Sequence, residues 1–112
     1  MEKDVRQFLK TAAWLFMRHG QKARAMNVCA ALYEDDPSDP ASSVAYADLL
    51  LWNGKPAKAL EAVTAAFPGE SLSHAAAVLE TRALAALGRT AAARSCWRRH
   101  VESMKGSSRR WM

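Results

Sequence analysis

The chain has 112 residues, half of them hydrophobic, which bounds it to one domain with a modest core. Alanine is the commonest apolar residue, valine is scarce and isoleucine is absent, a composition that excludes substantial strand content and favours closely approaching helices. The net charge of +5 is uneven: residues 82–112 carry eight Lys/Arg against the single acid Glu102, whereas residues 1–81 carry eight against ten acids.

The predicted helices in chain order run over about 4–19, 21–34, 41–52 and 56–67, then a fifth from a start after residue 71 or 73 to about 87, and a sixth over 90–104. The first pair is separated by Gly20. The second helix ends at the loop Asp35-Asp36-Pro37-Ser38-Asp39-Pro40, where two prolines and three aspartates forbid continuation. Pro40 and Pro56 stand at the starts of the third and fourth helices, a position that needs no backbone N–H. Pro68-Gly69 predicts a turn, and Ser71 or Ser73 a cap for the fifth helix. Thr90 is the expected cap of the sixth. Gly106-Ser107-Ser108 is expected to end it, leaving 106–112 as a basic tail. The acids of the Glu34–Asp39 segment read as a solvated turn.

These elements repeat. Gly20, Gly54 and Gly88 are spaced by 34 residues, as are Ala25, Ala59 and Ala93, and Phe16, Leu50 and Leu84. Three columns at this interval match the tetratricopeptide period. The glycine closes each helix pair with a left-handed backbone. The small residue lies where the second helix crosses the first, and the large apolar residue fills the space between them. Pro37 closes the first repeat; the second has Pro68 three positions early, and the third has no proline there. The predicted fold is therefore all-α: a tetratricopeptide-like right-handed superhelix of three helix–turn–helix repeats, at about 6–39, 40–73 and 74–105, within one domain over 1–105.

Such an array has a concave face lined by the first helix of each unit. Counting back from each glycine assigns Lys10, Trp14, Met17 and Arg18 to that face in repeat one. It assigns Val44, Asp48, Leu51 and Trp52 in repeat two, and Val78, Arg82, Ala85 and Ala86 in repeat three. Trp14 and Trp52 have two readings. Aromatics at helical spacing belong to a core. Yet Phe16, Leu50 and Leu84 already supply one, so the indoles are expected to anchor a partner. Helix six, with Trp97 and Val101 among basic residues, is either a cap or a surface that a partner covers.

No enzymatic chemistry is expected. His19, His74 and His100 have no metal-ligand spacing with each other or with Cys29 and Cys96. There is no phosphate-binding Gly-rich loop and no Gly-x-Ser-x-Gly elbow. No catalytic residue, metal or cofactor is assigned. The two cysteines are expected to be free, buried thiols in a reducing compartment. No apolar run reaches the ~20 residues of a membrane span, and the charged Met1–Arg6 segment leads into an amphipathic pattern rather than a secretory signal. The basic C-terminal stretch could draw nucleic acid or an anionic surface, but no recognition motif surrounds it.

Gln7-Phe8-Leu9, Trp14-Leu15, His19-Gly20-Gln21 and Arg24-Ala25 together resemble the opening of the YscY/SctY chaperones of bacterial type III secretion. The likeness continues through Ala31-Leu32, Pro37, Leu49-Leu50 with Gly54, and Ala83-Leu84 with Gly88, Ala93 and Arg94. It spans nearly the whole chain, and the N-terminal segment is its family-specific part. The resemblance implies a chaperone in the bacterial cytoplasm, at the periphery of the inner-membrane export apparatus. Its partner would be a small, early-exported SctX-type subunit, held in a hetero-oligomer that engages the cytoplasmic domain of the export gate SctV. Two alternatives are a needle-subunit co-chaperone of the SctG type and a generic tetratricopeptide protein-binding module. Ala13 departs from the glycine expected before the tryptophan, and Arg109-Arg110-Trp111-Met112 has no counterpart in the family.

Overall fold

The computed structural model describes residues 1–68 and 73–109, the last three by backbone only. It contains α1 (Lys3–Arg18), α2 (Lys22–Asp35), α3 (Pro40–Trp52), α4 (Pro56–Ala66), α5 (His74–Ala86) and α6 (Thr90–Arg109). No strand occurs among the described residues. The fold is all-α, as the composition predicts.

Helices pair as hairpins α1/α2, α3/α4 and α5/α6, and the hairpins pack in sequence order, α2 on α3 and α4 on α5. A further contact joins α3 to α5. The radius of gyration is 15.0 Å, above the ~13 Å of an equally long globule, as expected when units pack on their neighbours alone.

Each hairpin closes in one way. Gly20, Gly54 and Gly88 have φ of 73°, 75° and 78°. Their N–H groups donate to the carbonyls of Met17, Leu51 and Ala85, and the following Gln21, Lys55 and Arg89 N–H groups donate to Phe16, Leu50 and Leu84. This pair of bonds satisfies carbonyls that a helix end would otherwise leave free. The large apolar column thus marks the residues whose carbonyls receive the closing bond. The crossing column behaves as predicted: Ala25 and Ala59 are fully buried and Ala93 nearly so.

The core is built mainly of alanine, with Leu32, Leu49, Leu50, Val63, Leu79 and Leu84 as its larger members. Small side chains let the backbones approach, and they leave little room inside for large ones. Buried Ser43 donates to the Pro37 carbonyl at 3.0 Å, and buried Ser42 donates to an Asp39 carboxylate oxygen at 3.1 Å. Cys29 and Cys96 are free and buried, and burial pushes the Cys29 thiol up to about 11.

Three expectations need correction or limits. Helix α6 does not stop at Gly106 but continues to Arg109. One glycine costs a helix only about 1 kcal/mol against alanine, and no proline follows to stop it. The 34–39 segment is not simply a solvated turn. Arg6 of α1 donates to Asp35 and, at 2.7 Å, to Asp39, while Lys10 reaches Asp39 at 2.8 Å. Asp39 is therefore the junction that holds α1 against the start of α3. Of the two serines considered for the α5 cap, Ser73 does the work, accepting from the Ala76 N–H at 3.2 Å. Ser71 and Gly69 lie outside the described residues, as do Arg110, Trp111 and Met112.

Candidate protein-docking face

The predicted face can be traced column by column. Trp14, Asp48 and Arg82 occupy equivalent positions, 34 residues apart. Asp48 and Arg82 meet across α3 and α5 at 3.6 Å, so the register derived from the glycines brings equivalent residues into contact. That pair is about half exposed on both sides and contributes little to stability.

Trp14 is 55 % exposed and Trp52 is 61 % exposed. The core reading of both indoles is thereby excluded. Each carries a cation on its ring: the Arg18 guanidinium lies 4.9 Å from the Trp14 centroid, and the Lys22 ammonium 4.2 Å from that of Trp52. Such contacts are worth about 0.5–1 kcal/mol at exposed sites. They pre-orient the indoles without covering them.

The other assigned residues divide. Met17, Val44 and Leu51 are half-buried and pack on the core. They form the floor of the face rather than free anchors. Val78 is half-buried, and Ala85 and Ala86 are exposed but small. Lys10 is committed to Asp39. Burial alone would raise the Asp39 pKa, but hydrogen bonds from Lys10, Arg6 and Ser42 outweigh it and hold the carboxyl down to about 2. Lys10 is therefore a structural residue that lies at the edge of the face.

The hollow beside Trp52 is lined by Gly20, Gln21, Lys22, Ala23 and Arg24, with a volume of about 590 Å³. It belongs to the α1–α2 turn rather than to the middle of the face. The register missed Lys22 and Arg24 because only the first helix of each unit was assigned inward. The signal was present: Trp52 is two residues before its glycine, where each hairpin turn neighbours the next.

A second apolar surface also went unassigned. Val5, Phe8 and Leu15 are 44 %, 71 % and 44 % exposed. Their spacing of three and seven places them on one side of α1. Among the described residues no other helix covers that side.

At the far end, α5 and α6 bring together residues that linear spacing keeps apart. His74 Nδ1 lies 3.1 Å from His100 Nε2. Trp97, 38 % exposed, flanks both rings, with centroids 6.2 Å from His74 and 5.6 Å from His100. Further along α6, Val101 is half-buried and Met104 is exposed.

Among the described residues no helix is long and apolar enough to cross a membrane. A scan of protein-family models gives no match to the sequence, and no curated protein matches it either.

Proposed function

We propose that the three hairpins form a tetratricopeptide-like right-handed superhelix that binds a short helical protein across the Trp14–Trp52 face. The observation that carries this reading is the exposure of both indoles beside a core already closed by alanine and leucine. Large exposed aromatics on a rigid helical scaffold are the groups that dominate binding energy when a partner covers them. Stacked helix pairs also suit an amphipathic helix laid along their first helices. The repeated glycine closures and the Asp48–Arg82 contact support the superhelical register.

Within that reading, the resemblance to the SctY chaperones supplies the partner. The chain holds a SctX-type export subunit soluble, and the pair engages the cytoplasmic domain of SctV. Exposed Arg18 and Arg24, with half-buried Lys22, lie around the indoles and favour a partner segment that carries acids beside its apolar residues.

Co-expression with a SctX-type protein tests this reading. A soluble 1:1 complex is expected on size exclusion with light scattering. Trp52→Ala should weaken that complex by about 30-fold or more, from the ~2 kcal/mol of an aromatic anchor, with helicity unchanged by circular dichroism. Absence of a complex, or equal binding by the variant, would sink the proposal.

A further inference from the structure

The geometry points to a metal site that stands apart from the docking face: His74 and His100 form a two-histidine chelate for a late first-row divalent cation, Zn²⁺, Ni²⁺ or Cu²⁺. The cation would clip the middle of α6 to the first turn of α5.

The facing nitrogens, His74 Nδ1 and His100 Nε2, are 3.1 Å apart. Two imidazole nitrogens bound at ~2.0–2.1 Å to one ion, at angles between octahedral and tetrahedral, are themselves about 2.8–3.4 Å apart. The two donors therefore already stand at the separation of adjacent ligands. Their rings are 5.3 Å apart between centroids and inclined by 38°. His74 is exposed and His100 half-buried, so each ring can turn about its Cβ–Cγ bond to aim its lone pair at a shared point.

The proton balance is simple. In the metal-free pair of neutral rings, one facing nitrogen donates and the other accepts. With a cation bound, both facing nitrogens give lone pairs, and the two protons sit on the outer nitrogens, His74 Nε2 and His100 Nδ1. Two neutral rings thus take the cation with no net proton release.

The surroundings set the strength. No group of three or more His, Cys, Asp or Glu is gathered for a metal among the described residues. Cys96, one turn before His100, is buried and accepts from the Thr81 hydroxyl at 3.6 Å. Arg98 and Arg99 directly precede His100, and side chains one and two residues apart project from different sides of a helix. The protein thus supplies two ligands and leaves the remaining positions to water. That arrangement favours imidazole-preferring metals over Mg²⁺ or Ca²⁺, which demand oxygen donors.

Thermal unfolding of the full chain at pH 7.5 tests the site. Zn²⁺ or Ni²⁺ at 100 µM should raise the Tm by about 5 °C, the shift expected when the cation binds only the folded chain and is in clear excess over its Kd. EDTA should reverse the rise, and His74→Gln and His100→Gln should each abolish it. Cu²⁺ should quench indole fluorescence in the parent chain, and much less in Trp97→Phe. The proposal fails if the parent shows no rise, if either histidine variant keeps it, or if Trp97→Phe quenches as the parent does.

Discussion

The two ends of the molecule are held by different forces. At the N-terminal end, Arg6 and Lys10 of α1 reach Asp39, a carboxylate placed by the proline-bounded loop before α3. At the C-terminal end, α5 and α6 meet through Leu84, Ala93 and Cys96, with Leu60 of α4 against them. The only ion pair on α6 among the described residues is Lys105–Glu102, which is local, exposed and 4.0 Å long. The first hairpin is therefore tied across the chain by a charge cluster in addition to its apolar packing, the last mainly by apolar contact, with the exposed Asp48–Arg82 pair as its link to α3. The contacts that hold the first and last hairpins differ, and so should the response to mutation and to pH.

The largest effect comes from cutting apolar contacts. Leu49 is 2 % exposed between the first two hairpins, and Leu84 is 8 % exposed in the last. Leu49→Ala should lower stability by about 3–4 kcal/mol, and Leu84→Ala by about 2–3 kcal/mol, the range for buried leucines. The midpoint of urea unfolding at constant m measures both. Equal costs would mean that the last hairpin is packed as tightly as the middle.

Smaller, and confined to the N-terminal end, is the loss of the charge junction. Asp39→Asn leaves Arg6 and Lys10 without their shared acceptor and should cost about 1–2 kcal/mol. Asp48→Asn, which removes only the exposed 3.6 Å contact to Arg82, should cost less than about 0.5 kcal/mol. If the two variants are equally stable, α1 is held by packing and not by charge.

A dependence on acid is expected at the same junction. Asp39 has a folded pKa of about 2, below the ~3.9 of an unfolded aspartate. A depressed carboxylate stabilises the fold above its unfolded pKa, and the benefit is lost as pH falls from about 4 through 2. After discount for solvent screening the change is on the order of 1 kcal/mol. A Tm series between pH 5 and 2 should be shallower in Asp39→Asn than in the parent. Parallel curves would remove Asp39 from the account.

Helix positions were readable because turn chemistry is local. Proline at a first turn and glycine at a left-handed closure act through a few adjacent bonds, and α1–α5 end within a residue of their predicted bounds. The overrun of α6 past Gly106 shows the limit: a single glycine is a weak stop when no proline follows. The candidate face was half legible. Register alone selected Trp14 and Trp52 and predicted that they face outward. It could not tell that Met17, Val44 and Leu51 would sink into the floor, or that Lys10 would be taken by Asp39. Those outcomes depend on how deeply neighbouring hairpins press together.

Periodicity and backbone chemistry therefore specified the number of helices, their pairing and the columns shared among them, since each follows from residues close in the chain. Partnership across the chain was a matter for the packed molecule. The junction at Asp39, the hollow under Trp52 and the meeting of His74 with His100 all join residues more than 25 positions apart. Such contacts exist only once alanine-lined helices have closed on one another, because crossing distance and angle, not spacing in the chain, decide which side chains touch.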